Sequence, residues 1–253
     1  MAAQHEVDWS IDQSRAEAAQ PLASRSATTA RWAWEWTRSL LGAFTLFLII
    51  RTFLVEAFRI PTGSMENTLL VGDFLLVNKA IFGAKVPLTD MHLPAFAEPR
   101  RGDVIVFVPP HEPGKNYVKR LVALPGDTVE MRDKQLFING RPEPEPYARF
   151  SDEGDIYAPG MTWQCDYLPA GIDTSDCRPT RDNWGPIVIP DARYMVLGDN
   201  RDDSEDSRYW GFVDRSAIKG KPLFIYYSFN AASLHAMPWV REIRWNRIGG
   251  VIS

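Results

Sequence analysis

The chain has 253 residues, of which 45% are hydrophobic and 24% are charged, and its formal net charge at pH 7 is −4. This length suits one large domain or one domain with an insertion. The negative balance leaves no domain-wide basic surface to neutralise phosphates, which argues against a nucleic-acid-binding protein.

The N-terminal sequence predicts a tail followed by a membrane anchor. Residues 1–30 are rich in Ala, Ser, Gln and acidic residues, which indicates a flexible tail and differs from the short basic start of a secretory signal peptide. We assign the tail to residues 1–38 and the anchor to residues 39–58, because twenty residues at about 1.5 Å each span about 30 Å, enough to cross a bilayer core. Arg51 lies past the midpoint, where its side chain can reach toward an interface. Three tryptophans would form an aromatic belt at the other interface: Trp32, Trp34 and Trp36. The alternative is a helix that is buried or lies on a surface.

A serine on a sharp turn follows the anchor. Ser64 is preceded by Pro61, which fixes its own φ, and by Gly63, which lets the backbone turn tightly. A serine hydroxyl is a weak nucleophile until a base removes its proton, and the usual base is histidine. The four histidines stand in loop-like or terminal sequence without a nearby Asp to orient them: His5, His92, His111 and His235. The sequence therefore offers no histidine that would serve as the base.

Lys119 is the candidate base. It lies in a predicted strand, where alternation places it on the face shared with Tyr117 and Leu121. Burial would lower the pKa of a lysine, since desolvation disfavours the charged ammonium. The alternative is an ordinary lysine on an edge strand with its ammonium in water.

The sequence after Ser64 predicts a mainly β fold built on a twisted antiparallel sheet. Short apolar or alternating runs are separated by Pro, Gly, Asp and Asn. One hairpin is expected at Asn139-Gly140, a dipeptide that suits a type I′ turn. We assign residues 59–128 and 190–253 to a catalytic β domain, and residues 129–189 to an inserted smaller β region.

The two cysteines, Cys165 and Cys177, lie in a stretch rich in Pro, Gly and Asp. Two Cys without further Cys or a nearby His cannot complete a zinc site. They can form a disulfide, which would need an oxidising compartment such as the periplasm. Two free thiols remain the alternative.

A polar block from Gly198 to Gly211 allows several interpretations. Its carboxylates suggest a calcium loop, but the spacing lacks the glycine and the distal glutamate of an EF-hand, so no metal is predicted. It can also be a solvated loop in which Asp206 pairs with Arg208 at the surface, where such a pair stabilises little.

Four sequence blocks resemble those of one enzyme family. They are IPTGSMENTLLVGDFLLVNK from residue 60, RRGDVIVF from residue 100, YVKRLVALPGDTVE from residue 117 and LGDNRDDSEDSRYWGFV from residue 197. In this order they resemble bacterial type I signal peptidases, membrane-bound serine proteases that cut signal peptides from exported proteins. The resemblance implies a protease in which Ser64 is the nucleophile and Lys119 the general base.

The resemblance also implies roles for other residues. The backbone N–H of Ser64 and the hydroxyl of Thr62 would stabilise the oxyanion, and the hydroxyl of Ser204 would hold the lysine in place, with Asp206 and Arg208 as structural support. The substrate would bind as an extended strand with alanine-sized side chains in small apolar pockets, the A-x-A pattern of signal-peptide cleavage sites. The predicted pocket residues are Phe58, Ile60, Met65, Leu69, Tyr117 and Val118.

The same resemblance implies a location and partners. The tail would be cytoplasmic, and the catalytic part would lie on the periplasmic side of a bacterial inner membrane, held by a single span. Expected partners are preprotein signal peptides and the lipid bilayer, with the export translocon as a further candidate, and no cofactor is needed. Two alternatives remain: a self-cleaving repressor, which lacks a membrane span, and a membrane-tethered β module that binds peptides without cutting them.

Overall fold

The computed structural model describes residues 23–86, 89, 91 and 93–252, with side chains from residue 31 onward. Residues 1–22 of the predicted tail, with His5, lie outside this part of the chain, as does His92.

The described residues of the N-terminal unit form one long helix, α1, over Ala23–Ile49, and a π-helical turn follows over Ile50–Leu54. The helical segment over residues 31–54 is long enough and apolar enough to cross a membrane, judged by its length and composition alone. The predicted anchor at residues 39–58 differs from this helix at both ends. Helix α1 begins within the predicted tail, and the chain becomes a strand at Val55 because its backbone there pairs with a neighbouring strand. The division into tail, anchor and domains stays a prediction.

The larger unit, residues 50–253, is mainly β, in agreement with the predicted fold class. Its main sheet has seven strands in the order β1-β2-β11-β3-β4-β9-β10, and every neighbouring pair is antiparallel. The strands are β1 (Val55–Arg59), β2 (Asp73–Asn78), β3 (Val104–Phe107), β4 (Tyr117–Ala123), β9 (Arg193–Leu197), β10 (Val213–Asp214) and β11 (Ile218–Ser228).

A second, smaller antiparallel sheet occupies the predicted insertion. Its four strands, in the order β7-β6-β5-β8, are β5 (Thr128–Arg132), β6 (Gln135–Ile138), β7 (Arg141–Pro142) and β8 (Trp184–Val188). The expected hairpin is confirmed: Asn139 and Gly140 have φ of 52° and 75°, and Ile138 pairs with Arg141 across them. A 3-10 helix, Pro159–Tyr167, follows β7.

Short helices complete the unit. Two α-helices, α2 (Ser207–Trp210) and α3 (Pro238–Arg241), have four residues each. Further 3-10 helices lie at Ala80–Phe82, Arg201–Asp203, Arg215–Ala217 and Trp245–Arg247. Helix α2 lies in the polar block from residue 198, between β9 and β10. Because β9 and β10 pair antiparallel, this block reverses the direction of the chain.

The core holds the segment around Ser64 in place. Met65 and Leu69 are buried in a cluster with Leu75 and Val77 of β2 and Val106 of β3. Burial of side chains of this size stabilises the fold by about 1.5–3 kcal/mol each. The turn before Met65 is thus fixed to the sheet from its C-terminal side.

Candidate active site

The turn that carries Ser64 is closed by its own backbone. The N–H of Glu66 donates to the carbonyl oxygen of Gly63 at 2.9 Å, and the N–H of Leu69 donates to that of Met65 at 2.7 Å. Ser64 is half-buried between these residues. Its hydroxyl therefore stands on a rigid support and is still open to a groove.

The polar block packs directly against this turn. The backbone N–H of Asn200 donates to the carbonyl oxygen of Ser64 at 3.1 Å, and the Asn200 side chain donates to the carbonyl oxygen of Gly63 at 3.2 Å. Gly198 approaches so closely that a Cβ atom there would lie 2.5 Å from the carbonyl oxygen of Ser64. The block is thus part of the site, and its interpretation as a solvated loop is wrong.

Lys119 is buried in the sheet. It lies in β4, which has β3 on one side and β9 on the other, and only 3% of the residue is exposed. Burial lowers the pKa of Lys119 to about 8, and this effect outweighs the nearby carboxylate of Asp206, which acts in the opposite direction. Among the described residues no carboxylate forms an ion pair with its ammonium. The alternative of an edge-strand lysine with its head in water is wrong.

Ser64 and Lys119 line one groove of about 840 Å³. The groove also holds Thr62 and Ser204, so the four residues predicted to carry or support the chemistry share one site. Five of the six predicted pocket residues line it as well: Phe58, Ile60, Met65, Tyr117 and Val118. Leu69 is the exception, because its side chain is completely buried in the core beneath the turn.

Several groove residues were not predicted. Arg59 is the last residue of β1 and Pro61 follows that strand. Lys115 and Asn116 precede β4, and four more residues come from the polar block: Asp202, Asp203, Glu205 and Tyr209. Those before β4 have a sequence signal, since they directly precede the strand that carries the candidate base.

A buried hydrogen-bond series stands behind Ser204. Its hydroxyl donates to Asp206 Oδ2 at 2.8 Å, and the same oxygen accepts from the backbone N–H of Gly198 at 3.0 Å. Arg208 donates to both Asp206 oxygens, each at 2.8 Å. Asp206 and Arg208 are 0% and 1% exposed, so a weak surface pair between them is excluded. Burial raises the pKa of Asp206, but its charged and hydrogen-bonding partners, above all the Arg208 guanidinium, lower it by more than burial raises it. The net pKa is below the usual value, and the carboxylate stays ionised.

The remaining predicted residues lie elsewhere. Cys165 and Cys177 form a disulfide in the inserted region, at the end of the 3-10 helix. His111 stacks on Trp210 with ring centroids 5.4 Å apart, and neither His111 nor His235 lines the groove. In the part of the chain that the structure describes, no three His, Cys, Asp or Glu side chains are grouped so that they could hold a metal ion.

Comparison with known proteins gives one consistent result. Residues 33–227 match the sequence profile of the family described as "Signal peptidase, peptidase S26". Signal peptidase I of Pseudomonas fluorescens is 36% identical over 220 residues, covering 81% of this chain and 76% of that protein. Signal peptidase I of Rickettsia massiliae is 32% identical over 254 residues, covering 89% and 94%. A crystal structure of a signal peptidase I from Enterococcus faecalis is 33% identical, with a TM-score of 0.34 over 49% of this chain and 97% of that one.

Proposed function

The chain belongs to the signal peptidase family, peptidase S26, and from this premise we propose a mechanism in which Ser64 attacks the peptide bond and Lys119 removes the serine proton. The family reaction, removal of signal peptides by a serine endopeptidase, is that of this chain. The proposal concerns the residues that perform the reaction and the substrate that they select.

The burial of Lys119 in the groove of Ser64 carries the proposal. A neutral amine accepts a proton and an ammonium does not, and burial makes the neutral form accessible near pH 8. Ser64 Oγ would then bond to the carbonyl carbon while its proton passes to Lys119 Nζ. The lysine gives that proton to the departing amine, and in a second step takes a proton from the water that hydrolyses the acyl-enzyme.

The negative oxygen of the tetrahedral intermediate needs donors that are already in place. We assign this role to the backbone N–H of Ser64 and the hydroxyl of Thr62, which line the groove beside the nucleophile. Ser204 would orient Lys119. Because its own proton is given to Asp206, the Ser204 oxygen remains free to accept one from the lysine.

The strands beside the groove favour binding of an extended substrate. The pairing of β4 with β9 begins only at Arg120, so in the described structure residues 117–119 pair with β3 alone. Strand β1 is an edge of the main sheet, and residues 60–62 lead from its end to Ser64. A peptide lying between these two segments would gain backbone hydrogen bonds on both sides. Its alternate side chains would meet Phe58 and other apolar groove residues, which fits the small residues of an A-x-A site.

The helix over residues 31–54 would hold the enzyme in the bilayer from which its substrates emerge. We place the catalytic unit on the periplasmic side of a bacterial inner membrane, with signal peptides, the bilayer and the export translocon as partners. This placement is supported by the family and by the apolar helix.

The test is cleavage of a preprotein with an A-x-A site by the full chain, purified in detergent. We expect the parent to cut after the second alanine, and we expect Ser64→Ala and Lys119→Met to lose at least about 10³-fold in kcat while they stay folded. Lys219→Met is the matched control, because this half-buried lysine of β11 lies outside the groove and its removal should leave the rate unchanged.

Three outcomes would contradict the proposal. Cleavage by Lys119→Met at the parent rate would mean that the base is another group. Cleavage at unrelated sequences would contradict the A-x-A selectivity. Binding of the preprotein without cleavage by the parent would instead support a peptide-binding module.

A further inference from the structure

Among the contacts between the inserted region and the polar block, two side-chain donors meet at one carbonyl oxygen. In the 3-10 helix Pro159–Tyr167, Gln164 Nε2 donates to the carbonyl oxygen of Arg208 at 2.9 Å, and Trp163 Nε1 donates to the same oxygen at 3.1 Å. Arg208 lies in the four-residue helix α2, where the last carbonyl groups have no partner within the helix. Two side chains from the insertion thus occupy both lone pairs of this oxygen.

The side chain of the same arginine organises the site. Its guanidinium holds both oxygens of Asp206 and also donates to the carbonyl oxygen of Arg201 at 2.6 Å. Asp206 in turn holds the hydroxyl of Ser204 and the backbone of Gly198. A continuous series of hydrogen bonds therefore runs from the insertion, through Arg208 and Asp206, to Ser204 in the groove.

The donors are themselves fixed. Gln164 is completely buried, and the next residue, Cys165, is tied by the disulfide to Cys177. Trp163 packs edge-on against Phe212 with ring centroids 4.9 Å apart. A segment constrained in this way can impose a position on the carbonyl group that it binds.

We propose that Gln164 and Trp163 are positioning residues for catalysis, which hold the Arg208–Asp206–Ser204 series through the Arg208 carbonyl and thereby keep Lys119 aligned with Ser64. The inserted region is then part of the catalytic apparatus. This inference rests on the proposed function, because it takes Lys119 as the base. Neither residue lines the groove, so both act through the series and do not touch substrate.

The alternative is that the two side chains only satisfy a buried carbonyl group. A purely structural role predicts lower stability with unchanged chemistry, because a rigid groove would keep its geometry as long as the protein is folded. A positioning role predicts a change in kcat and in the pH dependence, because a loosened series lets Lys119 move and lets water approach it.

The experiment compares the parent with the double variant Gln164→Met/Trp163→Phe in the full detergent-purified chain. Gln164→Met keeps a side chain of similar length and Trp163→Phe keeps an aromatic ring beside Phe212, and together they remove both donors. Thr162→Val is the matched control, because it removes a side-chain hydrogen bond of the same helix, to the carbonyl oxygen of Pro159 at 2.9 Å, without touching Arg208. The measurements are kcat and KM for an A-x-A preprotein, the pH profile of kcat/KM and thermal unfolding.

We expect the double variant to lose about 10-fold in kcat, since a displacement of 1 Å at a reacting group costs up to about 10²-fold. We expect KM within about twofold of the parent, and the acidic limb of the pH profile moved to higher pH. Each single variant retains one donor to the Arg208 carbonyl and should show a smaller change in the same direction, a loss of about 3-fold in kcat with a smaller shift of the acidic limb. Thr162→Val should match the parent in all kinetic measurements.

A folded double variant with the parent's kcat and pH profile would overturn the inference. If the double variant unfolds at the assay temperature, the two single variants decide: a stability loss in each with no change in kcat or pH profile would equally overturn it. Failure of the proposed function has a different signature, namely an active Lys119→Met. If Lys119→Met is inactive and the Gln164 and Trp163 variants resemble the parent, only the present inference is wrong.

Discussion

Gly198→Ala should uncouple the polar block from the serine turn. The added Cβ would overlap the hydroxyl of Ser204, and it would lie 2.5 Å from Ser204 Cβ and 2.5 Å from the carbonyl oxygen of Ser64. Ordinary contacts of a Cβ begin near 3.4 Å, so both neighbours must move by about 1 Å unless Gly198 itself shifts. The Ser64 carbonyl is backbone held by Asn200, and Ser204 is held by Asp206, so neither can move without breaking a hydrogen bond.

A shift of about 1 Å in a group that orients a catalytic residue corresponds to a loss of about 10²-fold in kcat. Overpacking of a closed site should also lower the free energy of unfolding by about 1–3 kcal/mol. The assay is preprotein cleavage under saturating substrate, with thermal unfolding of the same sample. Gly114→Ala is the matched control, because this glycine has nothing within 4 Å of an added Cβ and does not line the groove. A Gly198→Ala enzyme that cuts within threefold of the parent rate would refute the importance of this close contact between the block and the Ser64 turn.

Four further predictions follow from charge and covalent structure. Activity should rise with pH through about 8, because the pKa of Lys119 is lowered to about 8. At pH 7 about 9% of the lysine is then neutral, compared with about 0.03% at the ordinary pKa of about 10.5. A flat kcat/KM between pH 6 and 9 would contradict this. Lys119→Met should be more stable than the parent below pH 8, where the folded chain bears the full cost of a buried ammonium, and thermal unfolding should show the difference shrinking as pH rises from 8 toward 10.5. Replacing both Cys165 and Cys177 by Ser should lower stability by about 3 kcal/mol, since the disulfide closes a loop with a sequence separation of 12, and the reduced parent should unfold like the variant. Arg120→Met should cost about 3–5 kcal/mol in denaturant unfolding, because it leaves the fully buried Asp199 carboxylate without its guanidinium; a loss under 1 kcal/mol would contradict the buried pair.

Sequence patterns predicted the features that depend on local chemistry. The turn at Asn139-Gly140 follows from the backbone preferences of two residues, and the mainly β fold follows from short alternating runs. The grouping of Ser64 and Lys119 in one groove came from the resemblance to a family, because residues 55 positions apart have no local signal of contact.

Features that depend on distant partners were missed. Val55, Ala57 and Phe58 extend the apolar run of the anchor past Glu56, and only pairing with β2 makes this segment a strand and not the end of a helix. Leu69 is apolar like the other predicted pocket residues. Its place in the core beneath the turn depends on the strands that it packs against there. Gln164 lies in a stretch without strand signals, and its partner Arg208 is 44 residues away, so nothing in its neighbourhood marks it.

Two adjacent cations in β4 differ in a way that favours Lys119 as the proposed base. Arg120 turns to one face and forms a buried ion pair with Asp199, its Nε and Nη2 each 2.8 Å from a carboxylate oxygen, so its charge is matched where it lies. Lys119 turns to the other face, into the groove of Ser64. There burial lowers its pKa, and in the described part of the chain no carboxylate forms an ion pair with its ammonium. A guanidinium could not serve at that position, because it stays protonated at any physiological pH, whereas an amine yields its proton when desolvation is strong enough. The cost in stability that Lys119 imposes is therefore inseparable from its proposed use as a base, since a surrounding carboxylate that relieved the cost would also keep the lysine charged.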